Sequence, residues 1–298
     1  MIELPGDATN EDWIACTGMT YEEYVAPLVK ELKDKKLINV HNDRPELFRD
    51  RFNELVRNRG EDLHALCAEF YTDDLYSRIN ALELGRVEVV HAAIGSVGLK
   101  AITGQLEDKR WPEIIARAFP GLQLALDRFG TGLSILDHGF GRGTTGLPIA
   151  TLLPRAKVVL YDFDNPTRRV LQCAVSRMPA FKNVEFVYAN LNYGADTLHI
   201  LEGRKFHYVT STDVMEHIPS PLGEVKRLSK LMHMQGVIRF SVYFNGDQER
   251  DPSHLKENED VYNYSENGWV DDCKAAGGFD LVEEASRWND VFSKEREV

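Results

Sequence analysis

The chain has little cysteine, little basic charge and no long apolar run. Its 298 residues hold four cysteines, Cys16, Cys67, Cys173 and Cys273, spaced too widely for a disulfide framework or a zinc site. The thiols are expected to be reduced and the protein cytoplasmic. No apolar stretch approaches the roughly 18 residues of a membrane span, and the opening segment MIELPGDATNEDW lacks the basic-then-apolar order of a secretory signal. Only 35 Lys and Arg stand against 47 Asp and Glu, a formal charge of −12. Non-specific nucleic-acid affinity depends on clustered Lys and Arg, so neither nucleic acid nor a membrane is expected as a partner. Acids and histidines do not cluster at the spacing of a magnesium site, so no metal is expected either.

What is present divides into two rhythms. With 43% apolar residues the chain can build a sizeable core. From about residue 20 to 129 the apolar spacing is helical. TYEEYVAPLVKELKDKK opens with a capping box, Thr20 to Glu23, and sets Tyr21, Tyr24, Val25, Leu28 and Leu32 on one face. Further helices are expected around Phe48, Phe52 and Leu55, around Leu63, Leu66, Cys67 and Phe70, and through the apolar VEVVHAAIGSVGLKAI. After Gly130, short strand-like runs alternate with helices: LSILD, KVVLY, VEFVY, HYVTS, GVIRFSVYF and FDLVEE. Helices are expected from Gly143, from Pro166 with Asn165 as its cap, from Pro219 to about His233, and from Ser265 to Gly277. This alternation predicts a doubly wound, mostly parallel α/β sheet, with a binding site beyond the carboxyl ends of its strands.

The glycine-rich stretch SILDHGFGRGTTG follows the first of these strands. Gly141 to Gly146 fit the G-x-G-x-x-G spacing of a dinucleotide loop, with Asp162 about 20 residues on. Asp137 argues against a pyrophosphate there. Two like charges at 4 Å repel by roughly 4 kcal/mol at an effective dielectric of 20, whereas a ligand carrying an ammonium and a sulfonium would be attracted.

The ordered set LDHGFGRG, VVLYDFD, STDVMEHIPSP and GWVDDCKAAGGF resembles the class I S-adenosylmethionine-dependent methyltransferases, over most of residues 132–284. The resemblance implies a Rossmann-like, seven-stranded, mostly parallel sheet and S-adenosylmethionine as cofactor. It implies a loop at Asp137, Gly139, Gly141 and Gly143 wrapping the methionine part, and Asp162 taking the ribose hydroxyls. Asp213 falls in the motif after the fourth strand. Asn190 stands where the family has an acid near the adenine amine, and its carbonyl can accept from that amine.

On this reading residues 1–130 form a helical module, acting as a lid or as a homodimer interface, and residues 131–298 the cofactor-binding domain. The expected reaction is in-line transfer of a methyl group to the oxygen, nitrogen or carbon of a small molecule. The alternatives are attack at another carbon of the sulfonium, releasing methylthioadenosine, or a nicotinamide-dependent oxidoreductase. Where the acceptor must lose a proton, imidazole is the suitable base near neutral pH. His254 and His217 are the candidates, from a set of three loop histidines that includes His138. Tyr21, Tyr243 and Tyr262 are the candidate substrate contacts, the last two in a long polar connection.

Overall fold

A threonine followed three residues later by an acid starts each of the first two helices. The computed structural model describes residues 8–36, 49, 51–57, 63–85, 111–189, 197–242, 266–286 and 289–297. In α1 (Asn10–Thr17) the Thr9 hydroxyl accepts from the Asp12 amide at 3.3 Å, and Asp12 accepts from the Thr9 amide at 2.7 Å. Thr20 and Glu23 repeat the box on α2 (Tyr21–Asp34), as the sequence predicts. Then come α3 (Leu63–Thr72), α4 (Asp74–Leu84), α5 (Trp111–Ala118) and α6 (Leu122–Phe129). Residues 51–57 are helical as well.

The second rhythm gives β1 (Ser134–His138), α7 (Gly146–Leu152), β2 (Lys157–Asp162), α8 (Pro166–Ser176), β3 (Val184–Tyr188), β4 (Phe206–Thr212) and α9 (Pro221–Lys230). It continues with β5 (Met232–Ser241), α10 (Glu266–Gly277), β6 (Phe279–Ser286) and β7 (Asn289–Lys294). Seven strands form one sheet in the order β3-β2-β1-β4-β5-β7-β6. All pairs are parallel except those made by β7, which runs antiparallel to both β5 and β6. The central strands are buried on both faces, which is why they read as unbroken apolar runs. Strand order reverses between β1 and β4, and the crevice opens beyond their carboxyl ends.

Several expectations need correction. The helix expected over residues 219–233 spans Pro221–Lys230, and Met232 already belongs to β5. β7 is absent from the strands named from sequence, because NDVFSK holds a single apolar pair, Val291 and Phe292, between polar ends and shows neither an apolar run nor a period of two. The apolar VEVVHAAIGSVGLKAI lies outside the described residues.

The helical segments pack on the sheet. Trp13, Tyr24, Ala81 and Leu84 share one buried cluster with Ile135, Val158 and Leu160 of the sheet. α6 packs on β4 and β5, the Tyr208 hydroxyl donates to the Pro120 carbonyl at 3.0 Å, and Arg128 donates to Ser293 Oγ at 2.5 Å. Leu28, Leu55, Leu66, Phe70 and Ile79 make a smaller core among the helices. Tyr21 and Tyr24 both pack on Trp13, with ring centroids 5.2 and 5.7 Å away.

Trp13 is fully buried between α1 and the sheet domain. Trp13→Ala should therefore destabilise the whole chain by about 3–5 kcal/mol, in a single urea transition that carries the sheet with it. Two separate transitions would show that the helices fold independently.

Candidate functional site

The glycine stretch makes the floor of the site. β1 delivers Asp137 and His138 to the sheet edge, and Gly139 turns the chain with φ +71°. A Cβ on Gly139 would lie 2.3 Å from Val214, so only glycine lets the loop lie this close to the segment after β4. The Gly139 and Phe140 amides donate to the Tyr161 carbonyl at 2.8 and 3.2 Å, and the Gly143 amide closes the loop on the Phe140 carbonyl at 2.7 Å.

Asp162, at the end of β2, gathers three donors. Its Oδ2 accepts from the Gly141 amide at 2.7 Å and pairs with Arg168 Nη2 at 3.0 Å, while Oδ1 accepts from the Phe163 amide at 2.7 Å. A carboxylate has about four acceptor positions, so Oδ1 keeps one for a ligand. Asp164, two residues on, is held by Arg169 on the surface at 2.6 Å.

Asp137 is buried, and its Oδ2 accepts from the Gly146 amide at 2.7 Å. Burial pushes its carboxyl up to about 7; the Gly146 amide opposes this, and the Asp162 charge adds to it. Next to it, His138 Nε2 lies 2.9 Å from Glu224 Oε1 and Nδ1 lies 3.1 Å from Ser211 Oγ, with the ring stacked on Tyr161. Burial alone would raise the Glu224 carboxyl, but His138 and Arg227 hold it below the usual carboxylate range. His138 is thus a packed residue at a strand end rather than a loop histidine.

A cavity of about 260 Å³ lies over this floor. Sheet-side walls come from Asp137, Gly139, Gly141, Asp162 and Phe163, and from Thr212, Asp213, Val214 and His217 after β4. Asp213 has φ +52°, uncommon for a residue with a side chain, and its amide donates to the Ser241 carbonyl at 2.8 Å. The opposite wall is helical: Cys67, Ala68 and Tyr71 from α3, and Tyr76, Asn80 and Glu83 from α4. Glu83 pairs with Arg142 of the glycine loop at 3.4 Å. The Cys67 thiol donates to the His217 carbonyl at 3.4 Å, Tyr71 meets the His217 ring edge-on at 5.7 Å, and Tyr71 stacks in parallel on Phe163.

The structure therefore brings Asp137, Gly139, Gly141, Asp162, Asp213 and His217 to one cavity. Gly143 stands behind the loop against Leu147. Tyr21 does not line the cavity, because its ring is taken up by Trp13. Asn190, Tyr243, His254 and Tyr262 lie outside the described residues. Sequence reasoning missed Arg168, Glu224 and, on α3 and α4, Cys67, Ala68, Tyr76, Asn80 and Glu83, and it named Gly146 only as the last glycine of the GRGTTG run.

A family model described as a methyltransferase domain matches residues 108–284. The chain belongs to that methyltransferase family. It is an S-adenosylmethionine-dependent methyltransferase, which sets aside the nicotinamide alternative. No curated protein sequence matches the chain. Solved structures similar to the methyltransferase include a fibrillarin pre-rRNA processing protein of Methanococcus jannaschii, 15% identical, covering 56% of this chain and 67% of that one, with a TM-score of 0.41. A putative methyltransferase of Bacillus halodurans is 22% identical over 54% of this chain and 68% of its own, TM-score 0.38. An arsenic(III) S-adenosylmethionine methyltransferase of Chlamydomonas reinhardtii is 16% identical over 55% and 64%, TM-score 0.41. Among the described residues of the methyltransferase, no helix is long and apolar enough to cross a membrane.

The Asp137 carboxyl, raised in the fold above its ordinary value near 3.9, holds a proton that the unfolded chain has already released. That contribution to stability is fully present below about pH 3.9 and is lost as the pH rises through 7, by up to about 1.4 kcal/mol per unit. Asp137→Asn should gain stability relative to the wild type as the pH goes from 5 to 7 in urea unfolding. Parallel pH curves would contradict the assignment.

Proposed function

We propose that the acceptor is a small molecule, enclosed between the sheet edge and a cap formed by α1–α4, with the cofactor-binding domain following the cap. The observation that carries this reading is the shared lining. Six residues of α3 and α4 face the glycine loop and the turn after β4 across one cavity. A folded protein or an RNA helix would need an open face at the carboxyl ends of β1 and β4. Here Tyr71 and Tyr76 occupy that approach.

The lining suits S-adenosylmethionine, which when bound supplies an electrophilic methyl group on a sulfonium. Asp162 Oδ1 has an acceptor position left for one ribose hydroxyl, one fewer than the family resemblance implies, because Gly141 and Arg168 already use Oδ2. Asp137 at the strand edge suits a cationic group. Gly139 and Gly141 let the ligand rest on bare backbone, and Asp213 borders the same space. Asn190 remains our proposed partner for the adenine.

His217 is the base we propose for an acceptor that must lose a proton. Its carbonyl is fixed by Cys67 and its ring by Tyr71, so the imidazole is oriented before a ligand arrives. His254 is the second candidate base, and Tyr243 and Tyr262 are retained as acceptor contacts. The cap excludes water from the reacting atoms, which strengthens every electrostatic interaction inside the site.

Two measurements test this reading. Incubated with methyl-labelled S-adenosylmethionine and a cell extract, the protein should place label in the low-mass fraction and release S-adenosylhomocysteine. Label in RNA or protein would overturn the small-molecule assignment, and methylthioadenosine would point to the other sulfonium chemistry. By calorimetry, Asp162→Ala should bind S-adenosylhomocysteine at least about tenfold more weakly, or about 1.4 kcal/mol. Unfolding curves must accompany that result, since the change also unpairs the buried Arg168.

A further inference from the structure

Tyr76, Asn80 and Glu83 fall at i, i+4 and i+7 of α4, so they share one face, and all three line the cavity. The two ends of that face are engaged. Glu83 pairs with Arg142, and the Tyr76 ring lies 5.7 Å from the Arg168 guanidinium, itself bound to Asp162. Between them Asn80 is 94% buried, and its amide nitrogen has no hydrogen-bond partner among the described residues. A buried amide left unsatisfied costs about 1–3 kcal/mol, and nothing among the described residues offsets this cost. An acceptor group on a ligand would.

Resting on the cofactor assignment above, we infer that Asn80 binds the carboxylate at the amino-acid end of S-adenosylmethionine. Three observations select that group. The amide nitrogen is a donor and needs an acceptor. Its neighbour Glu83 ties this stretch of α4 to the glycine loop through Arg142, whose cation offsets the Glu83 charge that would otherwise repel an incoming carboxylate. Asp137, on the sheet side of the same cavity, is matched to the ammonium of the same zwitterion. One amino-acid group is thereby held between the strand edge and the cap, and α4 becomes part of the cofactor site. Asn80 is a binding residue for the amino-acid end and makes no contact that a bare nucleoside needs.

The test is calorimetric titration of the full chain with two probes, S-adenosylhomocysteine and 5′-methylthioadenosine, which lacks the amino-acid carboxylate. Asn80→Ala should weaken S-adenosylhomocysteine about tenfold and leave methylthioadenosine within twofold. Asn80→Asp, which brings a like charge to the carboxylate, should weaken S-adenosylhomocysteine further and again spare methylthioadenosine. Because the amide nitrogen has no partner among the described residues, the urea midpoint of Asn80→Ala should match or exceed that of the wild type. Equal losses for both probes, no loss for either, or a lowered midpoint would overturn the inference. Failure of the wild type to bind either adenosyl compound would instead overturn the cofactor reading, and the inference with it.

Discussion

Everything around the cavity depends on the buried carboxylate of Asp162. It is where the glycine loop, the end of β2 and the first turn of α8 are joined, through the Gly141 amide, the Phe163 amide and the Arg168 guanidinium. A charge taken out of water must be paired and hydrogen-bonded to be tolerated. Here the groups that satisfy it are those that must be fixed for a nucleotide to be recognised. Removing either member of the Asp162–Arg168 pair would leave the other buried without its opposite charge, so the loop and α8 hold each other in register.

The cap is attached to this arrangement by polar contacts as well as apolar ones. Ser77 of α4 lies 3.0 Å from the Thr167 hydroxyl at the start of α8 and accepts from its amide at 3.1 Å. Asp12 of α1 pairs with Arg177 just beyond the end of α8. The Cys16 and Cys173 sulfurs are 3.6 Å apart across the same seam. α8 is thus the beam on which the cap rests, and it also carries Arg168. The positions of α1, α4 and Asp162 are set by one helix.

How much of this could be read beforehand follows from what each interaction needs. Strands buried on both faces announce themselves as apolar runs, and capping boxes and the glycine loop are local in sequence. Those parts were legible. β7 was not, because six residues with one apolar pair, Val291 and Phe292, between polar ends look like a connection. Tyr21 was assigned to substrate because an aromatic on a helix face has the same pattern whether it meets a ligand or Trp13. Arg168, Glu224, Asn80 and Glu83 could not be found at all. Arg168 pairs with Asp162 and Glu224 with Arg227 within a few residues, but nothing local marks any of the four as buried beside a cavity, since a charged or amide residue on a helix face is ordinarily solvated.

Trp13, Tyr24, Ala81 and Leu84 join the helices to the same apolar interior as β1 and β2. A hinge that swung α1, α2 and α4 away together would have to expose that interior and break the Asp12–Arg177 pair. At about 25 cal/mol for each Å² of apolar surface, such a motion approaches the cost of unfolding the domain. A path for ligands that leaves this interior closed would run past α3, whose Leu66 and Phe70 pack with Leu28, Leu55 and Ile79 in the smaller helical core rather than on the sheet.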